Sequence, residues 1–152
     1  MTNKISMILI LLLLASCSIY SPADRSLITY RGFDFSVNAL NGDESKQDVY
    51  LRDRNPYIEG SVPDGYLYFQ TTADSSYCAK DFEYESYNTF DKVPADIVWD
   101  TVATPVFPGH LYIIKCRDGF AKCRILSYSG ENILLVQVDV FYEFASASDS
   151  IF

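Results

Sequence analysis

Histidine, methionine and positive charge are scarce in this chain. Its 152 residues include one His and two Met, and twelve Lys and Arg against twenty Asp and Glu give a net charge of -8. Phosphate backbones bind broad basic surfaces, so nucleic acid is not an expected partner. The longest apolar run, Ile5 to Ala15, is too short for the roughly 20 helical residues that cross a hydrocarbon core. Nucleophile elbows, His-Glu-x-x-His helices and phosphate loops are missing as well, and the lone His110 leaves any Ser or Cys nucleophile a single base. No spacing of acidic residues selects an acid and base pair, so the chain reads as a non-enzyme. Zinc is not expected either, because there is no Cys-x-x-Cys and His110 stands alone. Asp43, Glu44 and Asp48 lack the alternating carboxylates and central Gly of a calcium loop. What the chain has in quantity is apolar and aromatic residues, at 49% and 15%. That composition supports one folded domain.

The first residues carry an address. Lys4 gives a positive start, the apolar run follows, and Leu14-Ala15-Ser16-Cys17 closes it with small residues before a cysteine. This pattern is a signal peptide, and its ending resembles the lipobox of bacterial lipoproteins. The resemblance implies cleavage after Ser16, with Cys17 as the lipid-attachment residue carrying diacylglycerol and an amide-linked fatty acid such as palmitate. Each buried methylene contributes about 0.8 kcal/mol, so two or three chains hold a domain firmly on a membrane. Ser18 rather than Asp after the cysteine implies the outer membrane. Residues 1–16 are thus read as signal peptide, 17–26 as lipidated N-terminus and tether, 27–145 as the domain and 146–152 as a polar tail. Cleavage leaves 136 residues with a charge of -9 and removes both Met1 and Met7.

The domain has period two, with Val, Ile, Tyr and Phe broken by turn residues. It is expected to be all-β, an antiparallel sandwich or partly open barrel. Ile28 through Phe35 reads as the first strand, and Asn41-Gly42-Asp43 as the loop before Asp48 to Leu51. Tyr57-Ile58-Glu59 and Tyr66 to Phe69 read as a hairpin about Pro63-Asp64-Gly65. Thr71 to Asp91 reads as a loop with one helical turn, and Ile133 to Phe144 as a central or bent strand.

The sharpest pattern is a hairpin from Leu111 to Tyr128. A four-residue loop Asp118 to Ala121 would set Cys116 opposite Cys123, in reach of a disulfide. Cys78 pairing with either, or three buried thiols, stay open. Alternation puts Ile114, Cys116, Cys123 and Ile125 on one face and Lys115, Arg117, Lys122 and Arg124 on the other, read as a solvated basic face.

The run Gly109-His110-Leu111-Tyr112 through the Asp118-Gly119 turn to Ala121-Lys122-Cys123 resembles the last hairpin of HmuY-type haem-binding lipoproteins, small lipid-anchored β-rich domains. The resemblance implies the fold and, more remotely, haem. Those proteins hold the iron with paired His or Met; a mature chain with one His and no Met cannot, leaving His110 with a Tyr or Cys as the ligand contact. The plainer reading of His110 is a strand start. Three classes of function follow: a membrane-anchored partner of an envelope protein, a small-ligand carrier, and a hydrolase. The first is favoured.

Overall fold

The computed structural model describes residues 23–39, 46–52, 67–71, 79–100, 103–130, 135–148 and 151–152. Burial alternates along the two longest strands, and that alternation builds the fold. In order, the strands are β1 (Asp24–Thr29), β2 (Val49–Arg52), β3 (Leu67–Thr71), β4 (Ala79–Asp81), β5 (Ala103–Val106), β6 (Leu111–Lys115), β7 (Gly119–Ser129) and β8 (Gln137–Ser146). They form two antiparallel sheets, one ordered β1-β8-β7-β6-β4 and the other β2-β3-β5. The fold is all-β and sandwich-like, with no closed barrel.

Period two decides which side chains meet. Ala121, Cys123 and Ile125 of β7 and Val138, Val140 and Tyr142 of β8 share a core with Val49, Leu51, Phe69 and Val106 of the smaller sheet. Each fully buried Val, Leu, Ile or Phe stabilises the fold by about 1.5–3 kcal/mol. Aromatic edges lock the interior: Phe33, Phe35 and Tyr142 meet at centroid distances of 5.1 to 5.9 Å, and Phe69 meets Tyr112 at 5.5 Å. β8 lies between β1 and β7, as its length suggested. Pro105 is tolerated in β5 because that strand is an edge.

Several boundaries differ from the sequence reading. The first strand ends at Thr29 because Gly32, at φ 95, turns the chain. A side chain there would meet Gln47 and the Val49 carbonyl at 2.9 Å, so Phe33 bridges Val49 instead of continuing β1. Of the stretch 17–26 read as a tether, Asp24, Arg25 and Ser26 are strand and pair with β8; residues 17–22 lie outside the described residues. The tail is not a free polar end: Ile151 bridges Lys92 and Phe152 N–H donates to the Asp91 carbonyl. Within 71–91 the helical turn exists, at Tyr87–Thr89, but β4 was missed, as was β5. β3 pairs with β2 and β5; Asn41-Gly42-Asp43, Tyr57-Ile58-Glu59 and Pro63-Asp64-Gly65 lie outside the described residues.

The hairpin also closes more tightly than expected. Cys116 N–H donates to the Gly119 carbonyl at 2.9 Å, and Lys115 pairs with Phe120, Ile114 with Ala121 and Tyr112 with Cys123. Gly119 permits this because a side chain there would strike the Ala145 carbonyl, 2.1 Å away. The slip is an even number of residues, so the predicted faces survive while the cysteines do not meet. Cys123 opposes Tyr112, four residues along β6 from Cys116, or about 13 Å at strand rise. A bridge needs about 5.5 Å between Cα atoms. Both thiols are buried and free.

Candidate functional site

The second face of the larger sheet holds most of the chemistry. Phe120, Lys122 and Arg124 point away from the core, as do Phe141, Glu143 and Ala145 of β8. Residues 82–100 run over this face as a strap. Phe82 and Phe90 pack at 4.5 Å, Tyr87 on Phe141 at 5.0 Å, and Trp99 stacks on Phe120 at 6.2 Å.

Lys122 and Glu143 are cross-strand partners under that strap, 2.7 Å apart, with side chains only 4% and 2% exposed. The ammonium also donates to the Phe90 carbonyl at 3.0 Å, and lies 4.5 Å from the centre of the Tyr87 ring and 5.0 Å from that of Phe152. Burying two charges costs several kcal/mol each unless they are paired; the ion pair offsets that cost for both, and the Phe90 carbonyl and the two rings offset it further for the ammonium. The expectation of a solvated basic face is therefore overturned at Lys122. Arg124 is likewise engaged, donating to the Gly109 carbonyl at 2.5 Å and to that of Glu85. Arg117 donates to the Lys46 carbonyl at 2.9 Å and sits 3.7 Å from Asp34.

His110 stands just before β6, as expected for a strand start. Its Nδ1 lies 2.9 Å from Asp81 Oδ2, so the carboxylate fixes the ring and leaves Nε2 as the nitrogen that could ligate. The rings of Tyr84, Phe107 and Tyr112 pack on the imidazole at 4.5, 5.0 and 6.4 Å, and the side chain is 12% exposed. A porphyrin on Nε2 would have to compete with these packed rings for space, which argues against haem at His110. Tyr112 cannot serve as second ligand or acid: its hydroxyl donates to the Pro105 carbonyl and accepts from Phe107 N–H, both at 2.9 Å. Burial pushes that phenol up, further from ionisation.

A third cluster lies at the β6–β7 turn. Asp48 is buried; its two oxygens accept from Phe35 N–H at 2.9 Å and Arg117 N–H at 3.1 Å. Burial pushes this carboxyl up to about 6, against the pull of those two donors. Buried Asp34 accepts from Ser36 N–H and Oγ at 3.0 and 2.6 Å. Burial raises the Cys116 and Cys123 thiols, so neither is a ready thiolate. Asp48 is thus a clamp between two segments rather than one side of a cation loop; Asp43 and Glu44 lie outside the described residues.

Asp81, Glu143 and Asp34 were not singled out from sequence. His110 and Asp81 are 29 positions apart, and only strand pairing brings them together. The one local signal was the even spacing that set Lys122 among apolar neighbours. Cys17 and Cys78 lie outside the described residues. Among the described residues no helix is long and apolar enough to cross a membrane, and no group of three His, Cys, Asp or Glu could hold a metal ion. The fold is an antiparallel two-sheet domain in which Lys122, Glu143, His110, Asp81 and Asp48 each hold a partner within the chain. No family model, curated protein or solved structure matches the chain.

Proposed function

We propose that the chain is a lipid-anchored lipoprotein of the bacterial envelope, on the outer membrane, acting by binding or contact rather than by turnover. The tetrad Leu14-Ala15-Ser16-Cys17, closing a short apolar run, carries this reading. β1 begins at Asp24, seven positions after Cys17 in the sequence, so an acylated Cys17 would lie close in sequence to the larger sheet. A non-catalytic role is supported by the chemistry of the three clusters: Lys122, Glu143, His110 and Asp48 each hold a structural partner. The partner is an envelope protein or a small ligand.

Metabolic labelling with a fatty acid tests the anchor. Wild type takes up label and Cys17→Ala does not; equal labelling of both sinks the proposal. Haem capture is the alternative that the hairpin resemblance brings, and the rings packed on His110 weigh against it. Hemin titration decides it, since a saturable Soret change lost in His110→Ala would revive that reading.

A further inference from the structure

The strap over the outer face is a loop whose two ends meet. Its first residues are fixed to β6, where Phe82 N–H donates to the Leu111 carbonyl and Leu111 N–H to that of Glu83, both at 2.8 Å. Its last residue returns to β4 beside them. Asp100 N–H donates to the Ala79 carbonyl and Asp81 N–H to Asp100 Oδ2, both at 3.3 Å, and Lys80 Nζ lies 2.9 Å from Asp100 Oδ1. Between these ends the strap is folded on itself. The rings of Phe82 and Phe90 touch, Glu85 N–H donates to the Phe82 carbonyl at 3.2 Å, Thr89 N–H to that of Ser86 at 3.0 Å, and the Thr89 hydroxyl to Glu85 at 3.1 Å. Loops of this length with so little regular structure are uncommon in a small domain, and lids are one of their usual roles.

At its middle the strap is held down by one cation. The Lys122 ammonium donates to the Phe90 carbonyl and sits between the rings of Tyr87 and Phe152. Phe152 also ties the next residues of the strap, since its N–H donates to the Asp91 carbonyl at 2.9 Å and Ile151 bridges Lys92. None of residues 82–100 is buried, so the strap lacks the apolar seal of the inner face. Segments with few buried contacts open at a lower free energy than the whole fold. Charge beneath the strap lowers that cost further, because Lys122 and Glu143 regain water when their roof lifts.

We infer that the strap is a lid: it opens as one unit about the β4 corner where its ends meet, is latched by Lys122 and capped by Phe152, and uncovers the Lys122–Glu143 pair with the rings of Phe120 and Phe141. Native-state hydrogen exchange on the full chain, read amide by amide, tests this. Glu85, Thr89 and Phe152 exchange through one shared opening and faster than the amides of β7 and β8, whereas Phe82, Leu111 and Asp100 at the hinge exchange with the sheet. Phe152→Ala takes one ring off the ammonium and speeds Glu85 and Thr89 together by about tenfold, the loss expected for a largely desolvated cation–π contact. The β7 and β8 amides keep their rates, which also shows that the variant is folded. Strap amides that exchange only along with the sheet overturn the lid. Glu85 and Thr89 opening at separate rates overturn the single unit, and rates that ignore Phe152→Ala overturn the cap.

Discussion

The two faces of the larger sheet are built from the same strands and sealed in different ways. On the inner face Ala121, Cys123, Ile125, Val138, Val140 and Tyr142 press against a second sheet, held by apolar area with the Tyr142 hydroxyl donating to the Phe35 carbonyl. On the outer face Lys122, Glu143, Arg124 and Phe141 meet an irregular strap whose regular structure is one short helical turn, Tyr87–Thr89. There, side chains hold backbone: Lys122 reaches the Phe90 carbonyl, and Arg124 those of Glu85 and Gly109. A sheet partner supplies its own hydrogen-bond ladder, whereas a strap must borrow donors from the face it covers. That difference explains why charges were retained where alternation alone would allow any polar residue.

Mutations on the two faces should cost alike singly and part company in pairs. Phe69→Ala removes a wholly buried ring that meets Tyr112 edge-on and should cost about 3–5 kcal/mol in denaturant unfolding. Lys122→Met strands the Glu143 carboxylate in a dry site and should cost a similar amount, about 3–5 kcal/mol. Adding Glu143→Leu should then restore most of that loss, because the penalty belongs to the unpaired charge. Adding Tyr112→Ala to Phe69→Ala should instead deepen the deficit. If the Lys122→Met, Glu143→Leu pair is as unstable as the single change, the strap depends on the ammonium's bond to Phe90 and the contrast must be redrawn.

The all-β class and the faces of the hairpin were legible because period two is a local property. An even slip in register leaves every side chain on its own side, so Ile114, Cys116, Cys123 and Ile125 could be placed together without the loop being right. The cysteine pairing needed the loop itself, which Asp48 and the close approach of Gly119 to β8 decide. Neither constraint is visible within the hairpin. Burial of Lys122 was hidden for a similar reason: alternation reports which residues share a face but not what lies over that face. The strap comes from residues 82–100, and its first half falls in Thr71 to Asp91, whose mixed aromatic and polar pattern reads as loop. His110 was readable as a strand start, but its bond to Asp81 depends on β4, a three-residue strand too short to announce itself.

Asp48 sharpens the comparison through pH. Its carboxyl titrates near 6 in the folded chain against an ordinary 3.8, so the folded state takes up a proton that the unfolded state refuses until lower pH. Stability from this group is therefore fully present below about pH 4 and is lost as pH rises through about 6, on the order of 3 kcal/mol in all. Unfolding midpoints should rise as pH falls from 7 toward 4.5, and Asp48→Asn should flatten that slope. Asn donates where Asp accepts, so the variant also gives up one of the bonds to Phe35 or Arg117. A slope unchanged by Asp48→Asn would move the effect to another carboxylate.

The smallest effect belongs to the uncovered edge of the outer face. Arg25 of β1 pairs with Asp139 of β8 through both Nε and Nη2, and that bond lowers the Asp139 carboxyl. The Arg25 side chain is 70% exposed, so water and salt screen the attraction and ordering the guanidinium offsets what remains. Arg25→Ala should leave the unfolding midpoint where it was, at low salt and at high. The same kind of pair, moved one strand inward and roofed by Tyr87, Phe90 and Phe152, should be among the most sensitive sites in the protein. A clear loss in Arg25→Ala would mean that something covers β1 as the strap covers Lys122.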